Sequence, residues 1–135
     1  MTSPSLDIPH LRTYGNAKQL TVDGKPFIIL GGEVHNSSSS SLAYMEPIWP
    51  RLASLGLNTV LIPVSWGLIE SEEGKFDFHL VDGLIDGARR YGLRVIFLWF
   101  GTWKNALSTY TPVWVKMDLE RFPRAQDVMG RRLNS

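Results

Sequence analysis

The sequence predicts an α/β fold in which parallel strands alternate with helices. Three observations carry this expectation. The runs Val60-Leu61-Ile62 and Val95-Ile96-Phe97-Leu98-Trp99-Phe100 are apolar without alternation, as strands covered on both faces require. Between them Leu80, Val81, Leu84, Ile85, Ala88 and Tyr91 follow helical spacing, with Asp82, Asp86, Arg89 and Arg90 on the opposite side. Gly56 and Gly92 stand where each preceding helix must end before a strand.

Taken in order, residues 1–15 are polar and contain proline, which reads as an irregular leader. Lys18 to Leu30 reads as two short β-like runs around Asp23-Gly24, a dipeptide suited to a tight hairpin. Phe27-Ile28-Ile29-Leu30 is the first strand of the α/β part and runs into Gly31-Gly32-Glu33-Val34-His35. The serines Ser37 to Ser41 follow a strand and read as a βα loop, with the next helix starting near Pro47 or Pro50. The strand at Val60 then delivers Trp66 and Glu70 into a loop. Helix and strand alternate, so the strands are most simply parallel and joined by right-handed crossovers. After Lys116 the periodicity fades and no further strand is predicted.

Composition excludes several classes. The 135 residues carry a net charge of +1 with Lys and Arg scattered, so no basic stripe points to nucleic acid or to an anionic membrane. There is no cysteine, which rules out thiolate chemistry. No segment approaches the ~20 apolar residues of a membrane span, and no signal peptide is evident, so the expectation is a soluble, cytoplasmic protein. A closed (β/α)8 barrel typically needs ~250 residues, and a flavodoxin-like sheet fits the length better. Both remain open at this level.

Ligands of parallel α/β folds lie at the carboxyl ends of the strands. The loops there hold Glu33 and His35, then Trp66 and Glu70, then Trp99, Trp103, Lys104 and Asn105. Indole faces stack on the C–H faces of sugar rings, while carboxylates, amides and ammonium groups bind hydroxyls, so this mixture suits a carbohydrate. Gly31-Gly32 lacks the later glycine, lysine and hydroxyl residue of a nucleotide loop. Structural roles compete at each position. Glu33 can accept structural hydrogen bonds, His35 can tie down a loop, and Trp66 can cap the core. Glu70 reads as ordering its own acid-rich loop, Trp99 belongs to an apolar strand, and Trp49 and Trp114 read as helix packing. The substrate-binding candidates are Glu33, His35, Trp66, Trp103, Lys104 and Asn105.

Several motifs together resemble a known clan. D-G-K-P-F at 23–27 leads to G-x-x-H at Gly32 to His35, and G-L-N-T-V at 56–60 precedes V-x-W-x-x-x-E at Val64, Trp66 and Glu70. E-x-G-x-F-D-F follows at 72–78, then G-L-R-V-I at 92–96, L-W-F-G-T-W-K-N at 98–105 and T-P-x-W-V at 111–115. From about Leu20 to Phe122 the chain resembles the N-terminal part of the (β/α)8 glycoside hydrolases of families 35 and 42, the β-galactosidases, in a divergent branch. The resemblance implies a partial TIM barrel, its first three βα units preceded by a short β-hairpin. It places residues 16–135 in the N-terminal part of a catalytic domain. Where common family 35 members have Y-V-P-W-N-x-H-E-P, this chain has Pro63, Gly67 and Ile69 in place of the tyrosine, asparagine and histidine, and the R-P-G-P-Y segment is missing.

The resemblance further implies retaining hydrolysis of β-galactosides without metal or organic cofactor. Two glutamates carry that chemistry, one in an Asn-Glu pair after strand four and one after strand seven, ~5–5.5 Å apart. The five asparagines here, Asn16, Asn36, Asn58, Asn105 and Asn134, precede Ala, Ser, Thr, Ala and Ser, so neither catalytic glutamate is expected within these residues. The expected partner is a galactoside-type carbohydrate, with homo-oligomerisation open. A non-catalytic carbohydrate-binding or interaction fragment, or a non-functional truncation product, is the alternative.

Overall fold

The computed structural model describes residues 8–100 and 109–132. They fall into two units divided between Leu30 and Gly31. The first unit is an antiparallel sheet of β1 (His10–Tyr14), β2 (Ala17–Val22) and β3 (Lys25–Pro26). Asp23 and Gly24 link β2 to β3 with positive φ values of 50° and 73°, the combination that a right-twisted two-residue hairpin requires. The predicted turn is therefore present.

Two expectations for this region are corrected. Residues 10–14 of the segment read as an irregular leader form β1, paired from His10↔Thr21 to Tyr14↔Ala17. All five β1 side chains are exposed, so backbone pairing alone makes the strand and no apolar alternation announces it. The strand read at Phe27–Leu30 also shifts. Phe27 N–H still donates to Leu20 C=O at 2.8 Å as part of the hairpin, whereas the parallel strand begins at Gly31. Register decides this: Gly31, Gly32 and Glu33 pair with Thr59, Val60 and Leu61.

The second unit contains the parallel sheet β4 (Gly31–Glu33), β5 (Thr59–Ser65) and β6 (Arg94–Phe100), in that spatial order. A 3₁₀ turn at Ser38–Ser40, α1 (Leu42–Met45) and α2 (Trp49–Ser54) connect β4 to β5. The first helix starts earlier than the prolines suggest because Ser41 Oγ accepts the Tyr44 N–H and caps α1; Pro50 lies in the first turn of α2. After β5 come α3 (Trp66–Ile69) and α4 (His79–Arg90), and α5 (Val113–Met117) lies beyond β6. Gly56 and Gly92 take φ values of 72° and 68° at the helix ends.

Within this unit Val60 and Ile62 of β5 pack with Met45, Trp49, Leu84 and Ala88. Burying one such aliphatic side chain contributes roughly 1.5–3 kcal/mol. Close helix contact depends on two small residues of α4. A Cβ on Gly87 would stand 2.6 Å from Trp49 Nε1, and one on Gly83 would stand 2.5 Å from a Leu42 methyl. The pairs Val60↔Val95, Ile62↔Phe97 and Val64↔Trp99 share the helix-covered face, while Glu33, Leu61 and Ile96 share the other. Trp99 thus lies on the helix side of the sheet and is 58% exposed. Among the described residues no helix is long and apolar enough to cross a membrane.

Candidate functional site

Three connections meet at the carboxyl ends of the parallel strands. After β4, Val34 N–H donates to Leu61 C=O, and His35 C=O then accepts the Ser38 and Ser39 N–H groups at 3.0 and 3.4 Å. This turns the serine tract back over the sheet. The buried Ser39 Oγ donates to Pro63 C=O of β5 at 2.8 Å, and Ser40 Oγ donates to Ser37 C=O at 2.7 Å. A stretch of low complexity in sequence is an ordered loop because its hydroxyls satisfy backbone acceptors.

The loop after β5 is organised by Glu70. Its carboxylate accepts the Trp66 indole N–H at 2.6 Å and the Gly74 N–H at 2.8 Å, and its backbone C=O accepts the Trp114 indole N–H at 3.0 Å. Glu70 is buried with both carboxylate oxygens engaged, so the loop-ordering role read from sequence is the one observed. Trp66 and Trp114 meet edge to face at 5.7 Å, and Trp114 meets Phe122 the same way at 5.9 Å. Arg121 closes the assembly by gripping both carboxylate oxygens of Glu73 at 3.1 and 2.6 Å. The hydrogen bond from Arg121 outweighs the opposing desolvation and, with a lesser contribution from the guanidinium charge, holds the Glu73 carboxyl below the usual value of 4.5.

The connection after β6 approaches the β5 loop through Gly67. Gly67 N–H donates to Tyr110 C=O at 2.7 Å, and a Cβ on Gly67 would stand 3.0 Å from that oxygen and 3.5 Å from the Thr111 oxygen. Space rather than backbone conformation requires glycine there. Asn36 Nδ2 donates to the Tyr110 hydroxyl, while Asn36 Oδ1 is buried without a partner among the described residues.

These three connections border an open cleft of about 610 Å³, within the ~300–1,000 Å³ range of small-molecule sites. His35 and Asn36 line it after β4, Ser65 at the end of β5 and Gly67 in α3 from the second connection, and Tyr110 and Lys116 of α5 from the third. Of the residues nominated from sequence, His35 alone is among the described lining residues. Glu33 is exposed on the opposite sheet face from the helices, and Trp66 stands beside Gly67 with its N–H committed to Glu70. Trp103, Lys104 and Asn105 lie outside the described residues. Asn36, Tyr110 and Lys116 were not nominated. Asn36 adjoins His35 and was within reach of the same strand-end reasoning, whereas the Tyr110 backbone meets the second loop at Gly67 and Lys116 comes from α5 beyond it. Among the described residues no group of three His, Asp or Glu side chains could hold a metal ion.

Residues 19–117 match the model of the glycosyl hydrolases family 35. A β-galactosidase of Xanthomonas manihotis is 36% identical over 88 residues, covering 62% of this chain and 14% of that protein. Beta-galactosidase-1-like protein 3 of Rattus norvegicus is 38% identical over 58 residues, covering 43% of this chain and 9% of that protein. The chain therefore spans a small part of the length of these relatives. Among solved structures, exo-beta-1,4-mannosidase Op5Man5 from Opitutaceae bacterium strain TAV5 aligns with a TM-score of 0.55 and 25% identity, covering 73% of this chain and 19% of that one. An endo-1,4-beta-mannanase from Rhizomucor miehei aligns with a TM-score of 0.53 at 19% identity, covering 84% of this chain and 34% of that one, a likeness of fold. The likeness to family 42 rests on the sequence motifs alone.

Proposed function

The chain belongs to glycosyl hydrolases family 35, and we propose that its parent protein hydrolyses the O-glycosidic bond of β-galactoside-type substrates with retention of configuration. Residues 16–135 supply the N-terminal part of the catalytic domain, the first three βα units of a (β/α)8 barrel with their hairpin. The chain contributes part of the sugar pocket, while the acid/base and nucleophilic glutamates come from strand ends outside it. The observation that carries this reading is the cavity at the carboxyl ends of parallel strands, built from three consecutive loops within or beside the family match.

In this reading His35 and Asn36 meet sugar hydroxyls, and Trp66 offers a ring face because its N–H is already bound. Glu33 shares a sheet face with Leu61 and Ile96 that a closed barrel turns inward. The same reading assigns sugar contacts to Trp103, Lys104 and Asn105, which lie outside the described residues. An open groove beside β6, bordered by Ile85, Leu93, Val95 and Phe97, is where a following βα unit of a barrel packs, which supports the partial-barrel assignment.

The test is a panel of aryl β-galactosides and β-mannosides incubated with the protein as expressed from its gene, including any sequence beyond this chain, with the product anomer followed by NMR. Release of β-galactose before mutarotation is expected. Preference for β-mannosides, the substrate class in the name of the mannosidase neighbour, would move the substrate assignment, and absence of glycoside hydrolysis would overturn the function.

A further inference from the structure

We infer that Tyr110 is a positioning residue for the sugar site: its hydroxyl holds the Asn36 side chain where one end of the amide is left for a substrate hydroxyl. This deepens the sugar-site reading and rests on it. Tyr110 joins the other two connections through different atoms. Its hydroxyl accepts the Asn36 Nδ2–H from the connection after β4, and its backbone C=O accepts the Gly67 N–H at 2.7 Å from the connection after β5. Asn36, Gly67 and Tyr110 all line the cleft, so one residue ties together its three borders. The backbone bond sets where Tyr110 sits, and the hydroxyl bond then sets where Asn36 points.

Asn36 is fixed from two sides. Its backbone C=O accepts from the Ser39 hydroxyl at 3.3 Å, and that buried hydroxyl also donates to Pro63 C=O of β5 at 2.8 Å. The main chain is thereby anchored to the sheet, and Tyr110 anchors the amide. Asn36 Oδ1 is left buried and without a partner among the described residues, an unfavourable state that a substrate hydroxyl relieves. The inference does not depend on which way round the amide lies. A tyrosine hydroxyl both donates and accepts, so it can hold either end, and a sugar hydroxyl matches whichever end remains. A contact residue locked by a neighbour in this way meets its ligand without first losing side-chain freedom, which is the advantage that the Tyr110 hydroxyl supplies.

The experiment is a double-mutant cycle on the protein as expressed from its gene: wild type, Tyr110→Phe, Asn36→Ala and the double variant. It reads kcat/KM for the aryl β-glycoside that the wild type turns over, and NMR reads the exchange of the Asn36 side-chain NH2 protons. Tyr110→Phe keeps the ring and the backbone bond to Gly67 and removes only the hydroxyl. It should lower kcat/KM about threefold to tenfold, the size expected for one neutral hydrogen bond, and should have no further effect in the Asn36→Ala background. The Asn36 NH2 protons should exchange more slowly in the wild type than those of the exposed Asn16, and faster in Tyr110→Phe. The wild-type exchange is read without any variant, so a folding defect in Tyr110→Phe does not remove the test. Turnover by the wild type with equal losses in both backgrounds makes Tyr110 a brace for the loops and overturns the positioning role while the glycosidase reading stands. Asn36 exchange as fast as that of Asn16 overturns the positioning role too. Absence of turnover by the wild type overturns the function and, with it, the substrate part of this inference.

Discussion

The indole N–H of Trp66 donates to the carboxylate of Glu70 one helical turn later, at 2.6 Å. That contact, with Gly74 N–H on the second carboxylate oxygen and Trp114 on the backbone carbonyl, makes Glu70 the organiser of one wall of the cavity rather than one of its lining groups. Glu70→Ala should cost roughly 1–3 kcal/mol, because two donors lose a charged acceptor and the half-buried Trp66 indole N–H is left without its partner. Glu70→Gln keeps one acceptor oxygen and should lose less. Denaturant unfolding of both variants checks the order, and a loss in Glu70→Ala below about 0.5 kcal/mol would contradict the role.

A second prediction has a sign that separates packing from propensity. In an exposed helix interior Gly→Ala stabilises by about 1 kcal/mol. At Gly87 the added methyl would sit 2.6 Å from the buried Trp49 ring, and overpacking of a filled core costs about 1–3 kcal/mol. Gly87→Ala should therefore destabilise by roughly 1–2 kcal/mol despite its better helix propensity. Thermal or denaturant melts decide the sign.

Gly67 stands where the enzymes this chain resembles have asparagine. The backbone of Tyr110 and Thr111 fills the space a side chain would need. Gly67→Asn should therefore push the third loop away from the second instead of restoring a family contact. The expected result is sugar binding weakened about tenfold with secondary structure retained, measured by titration and circular dichroism. Improved binding would show that the third loop yields without consequence for the cavity.

The Glu73–Arg121 pair sets a direction of pH dependence. Because the folded-state value of Glu73 lies below the ordinary 4.5, the folded protein binds that proton more weakly than the unfolded chain. The contribution is fully present above pH 4.5 and is lost as pH falls through the lowered folded value. Glu73→Gln should flatten this part of the acid limb in a pH series of unfolding midpoints. Both partners are exposed, so the difference should be small and should shrink further in salt.

Much of the second unit was legible in the residues. Val60-Leu61-Ile62 and the helical spacing from Leu80 to Ala88 have tertiary surroundings that agree with their local pattern, and β5 and α4 appear where expected. The β1 strand was hidden because His10 to Tyr14 are all exposed and their pairing lies in the backbone. The apolar Phe27–Leu30 run drew attention away from Gly31–Glu33, whose strand character comes from register with β5 rather than from side chains. In the site, strand-end logic located His35. It missed Tyr110, whose backbone approaches at the side-chain-free Gly67, and Lys116 of α5, since neither position carries a periodic signal.

The most direct test is the kcat/KM for an aryl β-galactoside of the protein as expressed from its gene, wild type against Asn36→Ala. Asn36 lines the cavity with a buried amide oxygen that no described residue satisfies, so its removal relieves an unsatisfied group, breaks the Nδ2 bond to the Tyr110 hydroxyl and deletes the proposed substrate contact. The predicted result is turnover by the wild type and a fall of at least about tenfold in Asn36→Ala, with a small change in the unfolding midpoint because the lost bond to the Tyr110 hydroxyl is offset by removal of the unsatisfied oxygen. Absence of turnover by the wild type, or unaltered kcat/KM in the variant, would contradict a sugar site between these loops.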